Sequence, residues 1–375
     1  MGLYLILFTL SFALAICKSS QLHYANGVIN NRGKHDVSTK LLLLLFACVS
    51  GFRYELGGTD YDYYRYAYEM INGLHDFGSS VLNSQYEVGY AAFMYLCANV
   101  LHLSYEGSLV VEAFVFYILM YVGLKRYMPN WGIFLMFFMY KMFFYVTFVA
   151  MRQAFTVAGF YLLIRYLDER KVFKYYLSLL LVSSFHYGAL LLFVLYPLFG
   201  IKINKRRLIV LGTIFGLSTV LSNLTGSLLN VVVEILGMSQ LEDKAAGYST
   251  DGASLSILYT LEYFLLFILM VKNYDVIKRK FKKSDFAIKW FLMVLPIVTL
   301  FRSTIILVRE LPYFYPAYAV LFYYVYTVSC NKKLLYSGFS LICLLGIIKY
   351  VIQFDNGHFM LYKTWLFNPS VNFFQ

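Results

Sequence analysis

Residues 131–167 read WGIFLMFFMYKMFFYVTFVAMRQAFTVAGFYLLIRYL. Two apolar runs, 131–148 and 153–167, meet at Met151-Arg152-Gln153. Each run is close to the length of a membrane-spanning helix, and only helices or closed barrels satisfy their backbone groups in lipid. The second run returns to a basic turn, Arg170-Lys171 through Lys174. Lys and Arg accumulate in cytoplasmic loops, so Met151-Arg152-Gln153 belongs to the external side. An arginine at that place is costly to hold in oil unless it faces a cavity or a partner.

The same reading extends along the chain. Of 375 residues, 60% are hydrophobic and 14% are charged. A mean hydropathy of +0.64 excludes a soluble globular domain. The expectation is one integral membrane domain, 1–375, all-α and polytopic, with about 12 transmembrane helices. The net charge of +12 would suggest nucleic acid in a soluble protein. In a membrane protein it reflects basic cytoplasmic loops, so nucleic acid is not an expected partner. Cys17, Cys48, Cys97, Cys330 and Cys343 lie in or beside apolar runs without CxxC or zinc-like spacing. Neither a disulfide framework nor a metal site is supported, and no cofactor is expected. The run Leu3 to Cys17 lacks a basic lead and an A-x-A-like cleavage site, and reads as a retained helix. The 36 Tyr and 35 Phe can form interfacial belts or stack on sugar rings. Composition does not separate the two uses.

Charge bias orients the spans. The loops 18–40 and 272–285 are basic and read as cytoplasmic, and 54–86 and 225–253 read as external. A short interfacial helix is expected over Asp60 to Asn72, with Thr59 or Asp60 as its cap. The runs 87–103 and 107–124 together break the parity of crossings, which predicts that 87–103 re-enters or lies shallow. Val172 to Phe199 is apolar, holds His186 near its centre and has basic residues at both ends. That pattern predicts a broken helical hairpin bent at His186, with arms of about 13 residues, roughly 20 Å each. Span 286–301 leads to an external stretch Arg302 to Pro312, and the tail 353–375 is also external.

On this topology Arg53, Asp60, Arg152, Arg302, Arg309 and Glu310 reach one face, with His186 slightly beneath it. Guanidinium groups bind phosphate bidentately and stay charged at any relevant pH. A cluster of them at one membrane level suits a lipid-linked diphosphate. The bland alternative is snorkelling residues that anchor helix ends. His186 is either a packed, hydrogen-bonded residue or a neutral imidazole that accepts a proton from a sugar hydroxyl. Tyr61 and Tyr64, in an acidic aromatic segment, are candidate glycan contacts. Glu87, Glu112, Lys141 and Glu262 lie within apolar runs and read as intramembrane pairs, such as Lys141 with Glu112 or Glu262. There is no Walker motif, no HExxH and no G-x-S-x-G elbow.

Several short motifs appear in a fixed order. They are Arg53 with Gly58-Thr59-Asp60-Tyr61, then Glu87-Val88-Gly89-Tyr90, Met151-Arg152-Gln153, Phe185-His186-Tyr187-Gly188-Ala189, and Arg309 through Tyr313-Phe314. The series, over about residues 40–320, resembles the EpsG family of Wzy-like polysaccharide polymerases. The resemblance implies a bacterial inner-membrane enzyme, multi-pass, that polymerises lipid-linked repeat units of exopolysaccharide, capsule or O-antigen. It implies undecaprenyl-diphosphate-linked oligosaccharide as substrate, membrane lipid as surroundings, and a flippase and a chain-length regulator as pathway partners. In the implied scheme Arg152 and Arg309 stabilise the leaving diphosphate, with Arg53 and Arg302 as further candidates, and His186 or Asp60 is the base. No metal is required. The competing classes are a flippase of lipid-linked oligosaccharides or another transporter, and an O-antigen ligase-type transferase. Transporters tend to carry internal repeats and midplane sites, and this chain shows no repeat and one-sided charge.

Overall fold

The computed structural model describes residues 1–20, 36–73, 76–222 and 255–374. Among the described residues the protein is helical throughout, and the extended pairings are two isolated bridges, Arg53 with Thr364 and Leu103 with Phe374. The expected external loop 225–253 and most of the basic loop 18–40 lie outside the described residues.

The chain divides into two compact units, Met1–Leu198 with Lys333–Gln375, and Phe199–Lys332. The first unit holds helices α1 (Gly2–Ser20), α2 (Asp36–Gly51), α3 (Thr59–Asn72), α4 (Phe77–Leu82), α5 (Val88–Tyr95), α6 (Tyr105–Leu124), α7 (Trp131–Phe138), α8 (Met151–Asp168), α9 (Val172–Ser183) and α10 (Leu195–Leu198). The second holds α11 (Lys205–Ser218), α12 (Ile257–Lys272), α13 (Tyr274–Lys280), α14 (Ser284–Leu292), α15 (Val294–Val298), α16 (Ile305–Val308) and α17 (Tyr315–Val328). Helix α18 (Lys332–Gln353) then returns the chain to the first unit.

By length and apolar composition, α6 and α18 are long enough to cross a bilayer. Helices α12 and α13 would make a third span if taken as one, but they are bent by 73° at Asn273. The basic stretch 272–285, expected as a loop, therefore holds a two-turn helix that buries Tyr274 and Ile277. Other apolar helices are shorter, 10–17 residues. One reason is visible in the opening stretch. The run 131–148 is no single straight span, because α7 gives way to π-helical turns at Met139–Phe143 and Tyr145–Val149. Such turns widen the helix locally and often mark functional places. Here they lead directly into Arg152. The run at 87–103 folds as α5 extended by a π turn to Val100, about 20 Å long, short of a hydrocarbon core of about 30 Å.

Small residues set the helix crossings. A Cβ on Gly123 of α6 would sit 2.5 Å from the Tyr161 carbonyl carbon of α8, and one on Gly132 of α7 would sit 2.2 Å from the Ala15 amide of α1. Close backbone approach of this kind is how helices pack where lipid removes the hydrophobic drive. Aromatic rings fill the remaining space edge to face. Phe46 meets Phe143 at 5.3 Å and Phe143 meets Phe148 at 5.2 Å. Much of the aromatic content is thus core packing in the first unit.

The hairpin expected at His186 is present, with a difference. Helix α9 ends at Ser183, His186 is extended (φ −161°, ψ 118°), and the return arm is a 3-10 helix, Tyr187–Val194, before α10. The arms are tied by the Tyr175 hydroxyl, which donates to the Leu192 carbonyl at 2.7 Å, and by Tyr176 stacked on Phe193.

Candidate functional site

Four segments of the first unit converge on one carboxylate. They are helix α3, the entry to α5 at Tyr86-Glu87, the first turn of α8, and the hairpin bend after α9.

Helix α3 is positioned by its glycine entry. Gly58 has φ 63°, a left-handed conformation that favours glycine. A Cβ on Gly57 would lie 2.6 Å from the Phe148 carbonyl, so the entry packs against the π turn that precedes Arg152. Gly58 occupies the cap position and no side chain caps the helix, contrary to the expectation for Thr59 or Asp60. Asp60 and Asp62 lie in the first turn instead, where negative charge suits the helix dipole. Tyr61, Tyr64, Tyr68 and Ile71 recur at helical spacing and are buried.

Arg152 is the second residue of α8. A cation in the first turn of a helix opposes the dipole, so it needs compensation. Its Nε donates to the Tyr64 hydroxyl at 3.1 Å and its Nη1 donates to Glu87 Oε2 at 2.5 Å. The guanidinium also lies 4.7 Å from the centre of the Tyr86 ring, a cation–π contact. Tyr64, Tyr86 and Tyr90 form an aromatic wall, with centroids 5.2–5.8 Å apart. Arg152 Nη2 has no protein partner among the described residues.

Glu87 is 8% exposed and is the centre of the cluster. Its Oε1 contacts His186 Nδ1 at 3.1 Å and accepts the Tyr187 amide at 3.3 Å. The Gly89 amide donates to the Ser184 carbonyl at 2.8 Å, which docks α5 onto the hairpin bend. A Cβ on Gly89 would lie 2.5 Å from Ser184 Oγ, so this approach requires glycine. Glu87 occupies the cap position of α5, and its side chain makes no cap hydrogen bond there. Burial works against its charge, and the Arg152 guanidinium and the His186 contact offset that cost. The His186 side chain is 29% exposed, and its Nε2 has no protein partner among the described residues.

The other expected site residues fall differently. Arg53 is 1% exposed. Its Nη1 and Nε donate to the carbonyls of Ser50 and Leu56, and its guanidinium lies 5.1 Å from the Phe148 ring centre. It braces the loop into α3, and this burial corrects the expectation that it offers a surface to phosphate. Tyr61 and Tyr64 are 2% and 5% exposed, so their rings are not open to a glycan. Tyr64 instead orients Arg152, and Tyr61 donates to Glu106 at 3.3 Å. The exposed rings of α3 are Tyr63 and Tyr66, on its opposite face. Asp60 is exposed. Arg302 and Arg309 belong to the second unit. Arg302 Nε donates to the Leu255 carbonyl at 3.2 Å, and Arg309 is exposed beside the buried Glu310, whose Oε2 has no hydrogen-bond partner among the described residues. Glu112 is buried on α6. Sequence reasoning treated Glu87 as a pairing group without chemistry. Its available signal was position, a carboxylate opening an apolar run inside the Glu87-Val88-Gly89-Tyr90 motif.

A family model described as the EpsG family matches residues 39–364. The chain belongs to the EpsG family. This is a family of Wzy-like exopolysaccharide polymerases. Its membership makes the chain a membrane protein with a polymerase-like, glycosyltransferase-type role in exopolysaccharide biosynthesis. The EpsG match begins within α2 and ends at Thr364, and so includes Glu87, Arg152 and His186. Searches among curated proteins and among solved structures find no match.

Proposed function

We propose that this EpsG-family protein is a multi-pass polymerase of the bacterial inner membrane, with about 12 spans, acting at the external face. Its donor is a growing glycan on undecaprenyl diphosphate, and its acceptor is a hydroxyl of a second lipid-linked repeat unit. The bond from the anomeric carbon to the phosphate oxygen breaks. A bond from that carbon to the acceptor oxygen forms. The acceptor proton goes to a base, and undecaprenyl diphosphate leaves.

One observation carries this reading. Arg152 and His186 share the two oxygens of a single carboxylate, and each keeps one nitrogen without a partner among the described residues. A cation and a potential base are thereby held side by side. Charge develops on the leaving diphosphate, and a preorganised guanidinium in a water-poor site stabilises it strongly. The N-terminus of α8 adds a second favourable field for an anion. His186 is the proposed base, with Asp60 as the other candidate, and Arg302 and Arg309 are proposed to bind phosphate. The product is exopolysaccharide, capsule or O-antigen.

The test is gel analysis of surface glycan in a deletion strain. Loss of a polymerase leaves single repeat units displayed outside. Loss of a flippase leaves units facing the cytoplasm, and loss of a ligase leaves long polymer on the carrier lipid. Either of those two outcomes would overturn the proposal.

A further inference from the structure

We infer that Glu87 is a positioning residue that fixes the tautomer of His186, so that Nδ1 carries the proton and Nε2 is the basic nitrogen facing the acceptor hydroxyl. The inference rests on the functional reading above only for what Nε2 does; the tautomer follows from geometry.

The reasoning begins with what Glu87 can accept. An ionised carboxylate has acceptor sites only. Oε2 is taken by Arg152, and Oε1 receives the Tyr187 amide. The third contact, His186 Nδ1 at 3.1 Å from Oε1, must then be an N–H donor. A lone pair on Nδ1 would face a lone pair on oxygen. In a neutral imidazole one ring nitrogen donates and the other accepts. With Nδ1 committed to Glu87, the acceptor is Nε2.

The remaining contacts make this arrangement rigid. Glu87 is nine-tenths buried and cannot relax freely toward water. The Gly89–Ser184 bond fixes α5 against the bend that carries His186. The Tyr187 amide pins Oε1 from the residue next to the imidazole itself. Arg152 holds the far oxygen, so a swing of the carboxylate away from His186 would also break an ion pair. Nε2 belongs to a partly exposed ring and has no partner among the described residues. The logic matches hydrolytic triads, in which a buried carboxylate orients the imidazole and keeps the reactive nitrogen free.

The chain has six histidines. Nitrogen NMR on protein labelled at histidine, in lipid nanodiscs at neutral pH, reads the tautomer of each, and His186→Gln identifies the His186 signal by difference. The expected wild-type result is a protonated Nδ1 and an unprotonated Nε2. In Glu87→Ala the Nε2-protonated form, which a free imidazole prefers, should gain population. Glu87→Asp should restore part of the wild-type population. In parallel, elongation by Glu87→Ala should fall about 100-fold in kcat, in the range for losing a positioned base. Finding Nε2 protonated in the wild type, or no change of tautomer in Glu87→Ala, would overturn the inference whatever the glycan length. Full-length glycan from His186→Gln, with the Nδ1–H tautomer observed, would overturn the functional reading of His186 and leave the tautomer standing.

Discussion

Replacing Arg152 by alanine separates two consequences that the structure ties together. The first is stability. Glu87 is 8% exposed and would lose its cation, and removing one member of a buried ion pair costs about 3–5 kcal/mol. Arg152 itself is 27% exposed and His186 still donates to Glu87, so the lower end, about 3 kcal/mol, is expected. The second is rate. Loss of one preorganised donor to a developing oxyanion costs about 100- to 1,000-fold. The double variant Arg152→Ala with Glu87→Gln removes the orphaned charge. It should regain most of the lost stability, because a neutral amide is cheaper to bury than an unpaired carboxylate. It should regain none of the rate. The assay is elongation of lipid-linked repeat units in vesicles, resolved as a ladder on a gel, with thermal unfolding of the same preparations. Elongation by folded Arg152→Ala within about threefold of wild type, under 1 kcal/mol of barrier, would refute the assignment of Arg152 to the leaving group.

Three further outcomes are expected. Gly89→Ala forces a Cβ into Ser184 and should cost about 1–3 kcal/mol while also parting Glu87 from His186, so elongation falls more than unfolding temperature alone explains; wild-type elongation would show that the docking is dispensable. Gly123→Ala, at the crossing of α6 and α8, should lower stability by a similar about 1–3 kcal/mol, with activity per folded molecule unchanged. Glu87→Gln leaves the Arg152 guanidinium without its ion-pair partner and should lower the unfolding temperature; an unchanged unfolding temperature would contradict the electrostatics of the site.

Local pattern made several elements legible before any coordinates. The short helix expected over Asp60 to Asn72 is α3, Thr59–Asn72, and the hairpin bend at His186 lies between α9 and its return arm. Both depend on neighbours in sequence, a flexible glycine entry in one and an interrupted apolar run in the other. The burial of Tyr61 and Tyr64 was also legible, since 61, 64, 68 and 71 share one helical face. Reading them as glycan contacts overlooked that period.

Composition and charge bias determined the class of this protein: helical segments in lipid, with rare ionisable groups that need partners. Which partners they take was decided by the tertiary structure alone. Glu87 lies 65 residues from Arg152 and 99 from His186, and no local rule joins them. Helix α5 reaches the hairpin because glycine at 89 lets two backbones touch, and α8 begins where π turns end. Arg53 looked from sequence like Arg152, yet it turns inward onto carbonyls while Arg152 meets a carboxylate. The physical reason is that the cost of burying a charge is set by what lies within a few ångströms of it. Sequence spacing fixes such neighbours along one helix and leaves them open between helices.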